Sequence, residues 1–202
     1  MAITNGYLTL EAYKDRENIT DDLDDAALES IIEHISRFID QECWRRFYST
    51  NETRYFTAKE SKILDIYDIT SIDTLKTDSA ADRTYSSTWA VTDYDLLPFN
   101  AVLDGEPYTQ IQVAPNGDYS FPVGLAKGVQ IKGDFGYVGS GDDPPPGIIE
   151  ATYLGVNRVV ARGKTPLGVS ASAALGEMQV VVKELKTDPD FNNMISFFKL
   201  RA

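Results

Sequence analysis

The chain has 202 residues, 43% of them hydrophobic, and carries a net charge of −12 from 31 acidic against 19 basic side chains. That length supports a core for one domain, or a domain with one insertion. The acidic balance opposes a tight, sequence-independent hold on nucleic acid, which needs clustered Lys and Arg to displace counterions.

Thr9 predicts the cap of a first helix running to about Arg16, with Leu10 and Tyr13 on its inner side. Asn18-Ile19-Thr20 breaks it. The run Asp21-Asp22-Leu23-Asp24-Asp25 is expected to place carboxylates in the first turn of a longer helix, against the positive end of its dipole. From there Leu28, Ile31, Ile32, Ile35, Phe38 and Ile39 recur at spacings of three and four, the clearest amphipathic pattern in the chain. Arg45 and Arg46 follow near its C-terminal end.

The middle of the chain has a different period. Residues 52–57, 62–67, 69–77, 87–94, 109–113 and 128–137 are short runs with Val, Ile, Thr, Tyr and Phe, separated by polar or Gly/Pro/Asn/Asp breaks. Val129-Gln130-Ile131-Lys132 alternates as a strand with one wet face should, and Pro115-Asn116-Gly117-Asp118 predicts a turn. No helical pattern separates the runs, so an antiparallel sheet or sandwich is expected and not a parallel sheet.

Gly133-Asp134-Phe135-Gly136-Tyr137 ends that region, and Pro144-Pro145-Pro146-Gly147 launches a third helix with Ile149, Tyr153, Val156, Val159 and Val160 as its apolar stripe and Gly163 as its stop. Residues 166–176 are expected as a small-residue loop, and Met178-Gln179-Val180-Val181-Val182 as a strand or an extended arm. Asp188-Pro189-Asp190 starts a short terminal helix with Phe191, Met194, Ile195 and Phe198 on one face. The expected fold is α+β: a small bundle of helices closed around an inserted antiparallel β-sheet or sandwich module, with an extended C-terminal arm. Its divisions are residues 1–50 (helical), 51–140 (β module), 141–165 (the helix completing the helical part) and 166–202 (loop, arm and terminal helix).

No catalytic constellation accompanies these elements. His34 is the lone histidine and sits in the long helix, which excludes multi-histidine metal sites. Cys43, also alone, excludes an intramolecular disulfide and suits a reducing cytoplasm, so Asn18-Ile19-Thr20 and Asn51-Glu52-Thr53 are accidental glycosylation matches. Gly163-Lys164-Thr165 imitates the end of a phosphate loop, but Arg158 stands where the first glycine belongs and a helix precedes it where a strand is required. The aspartates at 21–25 lack the turn glycine and closing glutamate of a calcium loop. Apolar runs stop far short of the roughly 20 residues that cross a bilayer, and Met1-Ala2-Ile3-Thr4-Asn5-Gly6 is no secretory signal. No cofactor, metal, catalytic residue or membrane partner is expected.

In this order the elements resemble the head–tail connector (adaptor) proteins of long-tailed bacteriophages. The resemblance spans nearly the whole chain. It rests on Leu8-Thr9-Leu10-Glu11-Ala12-Tyr13, on residues 22–47 with their Ile-Ser-Arg-Phe-Ile-Asp core and Trp44-Arg45-Arg46-Phe47 exit, and on Asp93-Tyr94-Asp95-Leu96-Leu97-Pro98 with Pro107-Tyr108. Lys132-Gly133-Asp134-Phe135-Gly136-Tyr137, the helix ending Arg158-Val159-Val160-Ala161-Arg162, and Gly168-Val169-Ser170 complete it. The resemblance implies a structural protein of the virion neck, assembled in the host bacterial cytoplasm. It implies a homo-oligomeric ring, a dodecamer, with a portal protein above, a neck or tail completion protein below, and DNA passing through the lumen without specific binding. A negative lumen would keep phosphates from adhering.

The segment after residue 178 departs from any pattern that can be aligned. Phe191, Phe197, Phe198, Leu200 and Arg201 are candidates for a portal-docking arm, since aromatics and Arg are favoured anchors; the alternative is a helix docked on its own core. A second function class is a carbohydrate- or protein-binding β module, if Tyr85, Trp89, Tyr94, Phe99, Tyr108 and Tyr119 face solvent. A third, a carboxylate hydrolase, has no pair of acids to single out.

Overall fold

The computed structural model describes residues 3–115, 117–163 and 185–200. The expected loop at 166–176, the expected strand or arm at 178–182, Arg201 and Asn116 of the expected turn lie outside the described residues. Within them the chain is α+β, with five α-helices and one open antiparallel sheet of six strands. It divides into two units, one drawn from Met1–Arg45 with Asp143–Ala202 and the other from Arg46–Asp142.

In the helical unit, α1 spans Leu10–Glu17, and Thr9 Oγ1 accepts the Ala12 N–H as its cap. Asn18 closes it in the left-handed conformation (φ 55°), which asparagine tolerates better than most residues. Helix α2 spans Asp25–Cys43 and buries Leu28, Ile32, Ile35, Phe38 and Ile39, while Ile31 is half-buried at the stripe's margin. Only Asp25 of the acidic run lies in its first turn. The other aspartates form the turn before it, where Asp21 Oδ1 accepts the Leu23 N–H at 3.2 Å.

Helix α4 spans Pro146–Gly163 and α5 spans Pro189–Ser196, the latter capped by the Asp188 carboxylate on the N–H groups of Asp190 and Phe191. Helices α2 and α4 approach closely at Gly155, where an added Cβ would lie 2.7 Å from Ile35 Cγ2. Helices α1 and α4 are joined by polar groups. Tyr13 Oη donates to Asn157 Oδ1 (2.9 Å), Asn157 Nδ2 and Tyr153 Oη both donate to Glu17 Oε1, and Arg16 pairs with Glu150 at 2.6 Å.

In the sheet unit the strands are β1 (Thr50–Phe56), β2 (Ile63–Thr77), β3 (Ser87–Trp89), β4 (Tyr94–Leu97), β5 (Tyr108–Val113) and β6 (Val129–Phe135). Their order is β1-β6-β2-β5-β4, with β3 also on β2, all pairs antiparallel. It is a single sheet, not a sandwich. The two runs expected at 62–67 and 69–77 are one strand, because the Asp68 break is absorbed as a bulge: the ladder shifts register between Asp65 and Ile69 and again between Ile69 and Ser71. Ile69 is the pivot, facing Tyr108 of β5 on one side and Phe135 of β6 on the other. The run expected at 87–94 is instead interrupted at Val91–Asp93 by a 3-10 turn, whose Asp93 Oδ2 accepts the Ala90 N–H at 2.7 Å.

Leu64, Ile69, Leu75, Ile111, Ile131 and Phe135 form the centre of the sheet's core. Where β6 crosses the second irregularity of β2, Gly133 is pressed against it: a Cβ there would lie 2.2 Å from the Ser71 carbonyl oxygen. Between β4 and β5 the chain turns through the short helix α3 (Ala101–Asp104), closed by Gly105 at φ 68°.

Candidate functional site

Chemistry-bearing side chains are placed in structural roles. His34 is exposed on α2. Cys43 is fully buried, and desolvation pushes its thiol up to about 12, so it stays protonated at neutral pH and lacks the thiolate a nucleophile needs. Arg158 lies within α4 and pairs with Asp188, the cap of α5; Lys164 and Thr165 fall outside the described residues. Lys14 bridges Asp22 and Asp25 at 2.9 and 2.8 Å, which ties the acidic turn to α1. Among the described residues no cluster of three His, Cys, Asp or Glu side chains is arranged to hold a metal, and no helix is long and apolar enough to cross a membrane.

The terminal segment divides the candidate docking residues into two sets. Phe191 is fully buried and stacks on Phe38 of α2, while Ile195 beside it is also buried. Phe198 is half-buried against Gly147 of α4, its ring carbon 3.2 Å from where a Cβ at Gly147 would stand. Phe197, by contrast, is 90% exposed, and Leu200 is 41% exposed. The Leu200 N–H donates to the Cys43 carbonyl at 3.0 Å, which holds this end of the chain beside the C-terminus of α2. Trp44 follows there. It adopts the left-handed conformation (φ 57°) and is 80% exposed, a large apolar ring at a position where glycine is the usual choice. The structure thus brings Leu200 next to Trp44, a residue that sequence pattern treats only as the exit of the helix. Its signal was available: position 44 falls one step past Cys43, the last residue of the helix.

The aromatic set of the sheet unit is mostly core. Trp89 and Tyr94 are buried, Trp89 stacks on Phe121 and Tyr119, and Tyr108 packs on the cluster around Ile69. Phe99 is the most exposed member at 67%, with Tyr85 partly exposed, and Phe99 is accompanied by Val102 and Leu103 at 68% and 85%. These three residues make an apolar tip between β4 and β5. Sequence periodicity overlooks it because Pro98 and Gly105 bracket it as an ordinary turn. Single exposed apolar residues are unremarkable, but grouped ones at a projecting turn mark contact surfaces.

No family model matches this chain, and no curated protein matches it. Solved structures do. A chain from the neck of the native GTA particle with C12 symmetry aligns with 100% of this chain and 94% of its own length, at a TM-score of 0.60 and 16% identity. A chain from the neck of the empty GTA particle with C6 symmetry aligns with 90% of this chain and 92% of its own, at a TM-score of 0.53 and 15% identity. This chain shares their fold. The likeness covers helices and sheet together, so the combination of units, and not one common module, is what is similar.

Proposed function

We propose that this protein is a structural neck protein of a phage-like particle, working as one subunit of a homo-oligomeric ring at the head–tail interface. The observation that carries this is the end-to-end likeness to neck chains of particles described with C12 and C6 symmetry. The chain's own features support it: apolar cores in which the chemistry-bearing side chains take structural roles, and apolar side chains turned outward at Trp44, Phe197, Leu200 and the Phe99 tip. In this reading residues 1–50 and 141–165 form the scaffold, 51–140 the β module, and 166–202 the arm. The ring is a dodecamer that docks beneath the portal, extends the DNA channel and receives a neck or tail completion protein below. The net charge of −12 suits a lumen through which DNA slides without adhering.

Within the arm, Phe197, Leu200 and Arg201 are the docking candidates, while Phe191 and Phe198 pack against Phe38 and Gly147 of the helical unit. Mass photometry of the purified chain, alone and mixed with the portal of its own particle, tests the proposal. Ring-sized complexes with the portal are the expected result. A chain that stays monomeric beside the portal while binding glycans overturns it in favour of a binding module.

A further inference from the structure

Six non-glycine residues among the described chain have a left-handed backbone, and three of them, Arg83 (φ 66°), Tyr85 (φ 47°) and Lys127 (φ 57°), line a single open hollow of about 530 Å³ with Tyr55. Strained backbone persists only where its surroundings enforce it, and such enforcement gathers at functional places. Here the enforcement is explicit. The buried Asp78 carboxylate accepts the N–H groups of Arg83 (2.8 Å) and Asp82 (3.3 Å), Tyr85 Oη donates to the Lys127 carbonyl (2.8 Å), and the Lys127 N–H donates to Thr57 Oγ1 (3.0 Å). The outcome is two tyrosine rings 5.6 Å apart, with Lys127 Nζ 6.0 Å from the Tyr55 centroid and Arg83 exposed beside them. Neither Arg83 nor Lys127 pairs with a carboxylate among the described residues. Two free cations around two aromatic faces suit a ligand with acidic groups flanking an apolar one.

The chain carries such a ligand itself. Leu23 is 90% exposed at the tip of the Asp21-Asp22-Leu23-Asp24-Asp25 turn, where its burial contributes nothing to the protomer. Asp22 and Asp25 are held by Lys14, whereas Asp21 and Asp24 are exposed and Asp24 spends no bond on capping α2. We propose that the hollow formed by Tyr55, Arg83, Tyr85 and Lys127 receives the 21–25 turn of a second copy of this chain. Leu23 packs on the two rings, and Asp21 and Asp24 face Arg83 and Lys127. Two different surfaces of the same protomer then meet, which is the heterologous contact that a closed ring requires. The contact rests on the ring assembly proposed above and supplies one of its interfaces. Nucleic acid also likes cations and rings, but a phosphate backbone is gripped by an extended basic track, and this hollow offers only two cations in a chain of −12.

A synthetic peptide of residues 18–27 titrated into the full chain, followed by the NMR signals of the Tyr55 and Tyr85 rings, tests the contact without requiring a ring. Saturable shifts of both rings are expected. Affinity should fall about tenfold or more in R83E/K127E, and equally with a D21K/L23S/D24K peptide, and it should weaken with added salt. In the full-length chain R83E/K127E and D21K/D24K, each checked for an unchanged melting temperature, should lose ring formation, and the variant carrying all four changes should regain it. Rings that persist in both charge-reversed variants, unmoved tyrosine signals, or tighter binding of a thymidine oligonucleotide than of the peptide would each overturn the contact. If the peptide behaves as described while the wild-type chain never forms rings with its portal, the contact stands and the neck assignment falls.

Discussion

Phe191 of α5 stacks on Phe38 of α2, with ring centroids 5.7 Å apart and planes 19° apart, and both rings are buried. This pair makes the terminal helix part of the helical core, while Phe197, just past the helix end, is turned outward. Phe191→Ala should therefore cost about 3–5 kcal/mol of stability, the usual range for removing a buried phenylalanine. Phe197→Ser, at a ring 90% exposed, should change stability by no more than about 0.5 kcal/mol. Urea unfolding of both variants measures the difference, and on the neck proposal Phe197→Ser should still weaken binding to the portal. Equal losses of stability would show that the two rings are not divided in this way.

Gly133 tests the close passage of β6 over β2. A methyl group there meets the Ser71 carbonyl oxygen at 2.2 Å and the Ile72 Cα at 3.0 Å, both main-chain atoms that cannot swing aside. Gly133→Ala should cost about 3 kcal/mol or more, at the upper end of overpacking effects. Gly124, at φ 74° with open space around it, is the control: Gly124→Ala should cost only the left-handed penalty of about 1 kcal/mol. Thermal melts of the two variants, compared with wild type, give the answer.

Trp44 should be replaceable without harm to the fold. Its left-handed backbone disfavours any side chain with a Cβ, and its ring is 80% exposed. Trp44→Gly should raise stability by about 0.5–1 kcal/mol, as expected where glycine closes a helix. A loss of stability instead would mean that the indole packs against the fold.

Alkaline conditions should destabilise the helical unit through two buried acids. Burial is the chief cause that pushes the Cys43 thiol and the Tyr13 phenol each up to about 12, from ordinary values of 9.0 and 10.0. Each holds its proton more tightly folded than unfolded, so the unfolded chain binds fewer protons above its own pKa, and stability falls as pH rises. The contribution is complete below about pH 9 and is lost progressively toward pH 12. Melting temperature measured from pH 8 upward should decline across that window, and Cys43→Ala should make the decline shallower. A flat profile would place both groups in water.

The helices were legible from residues close in sequence. Thr9 and Asp188 cap by reaching their own next turn, and the 28–39 stripe needs only the helical repeat to define its buried face. The alternation of 129–132 likewise names the wet face of β6. Tertiary structure decided what depends on partners far along the chain. It merged residues 63–77 into one bulged strand around Ile69, because Tyr108 and Phe135 bond it from both sides and outweigh the local Asp68 break. It also placed Phe191 inside and Phe197 outside, since the period of a short helix says which side chains share a face but not which neighbour covers it. The hollow at Tyr55 belongs to the same class: its four side chains come from three separated stretches, and only folding brings their rings and charges together.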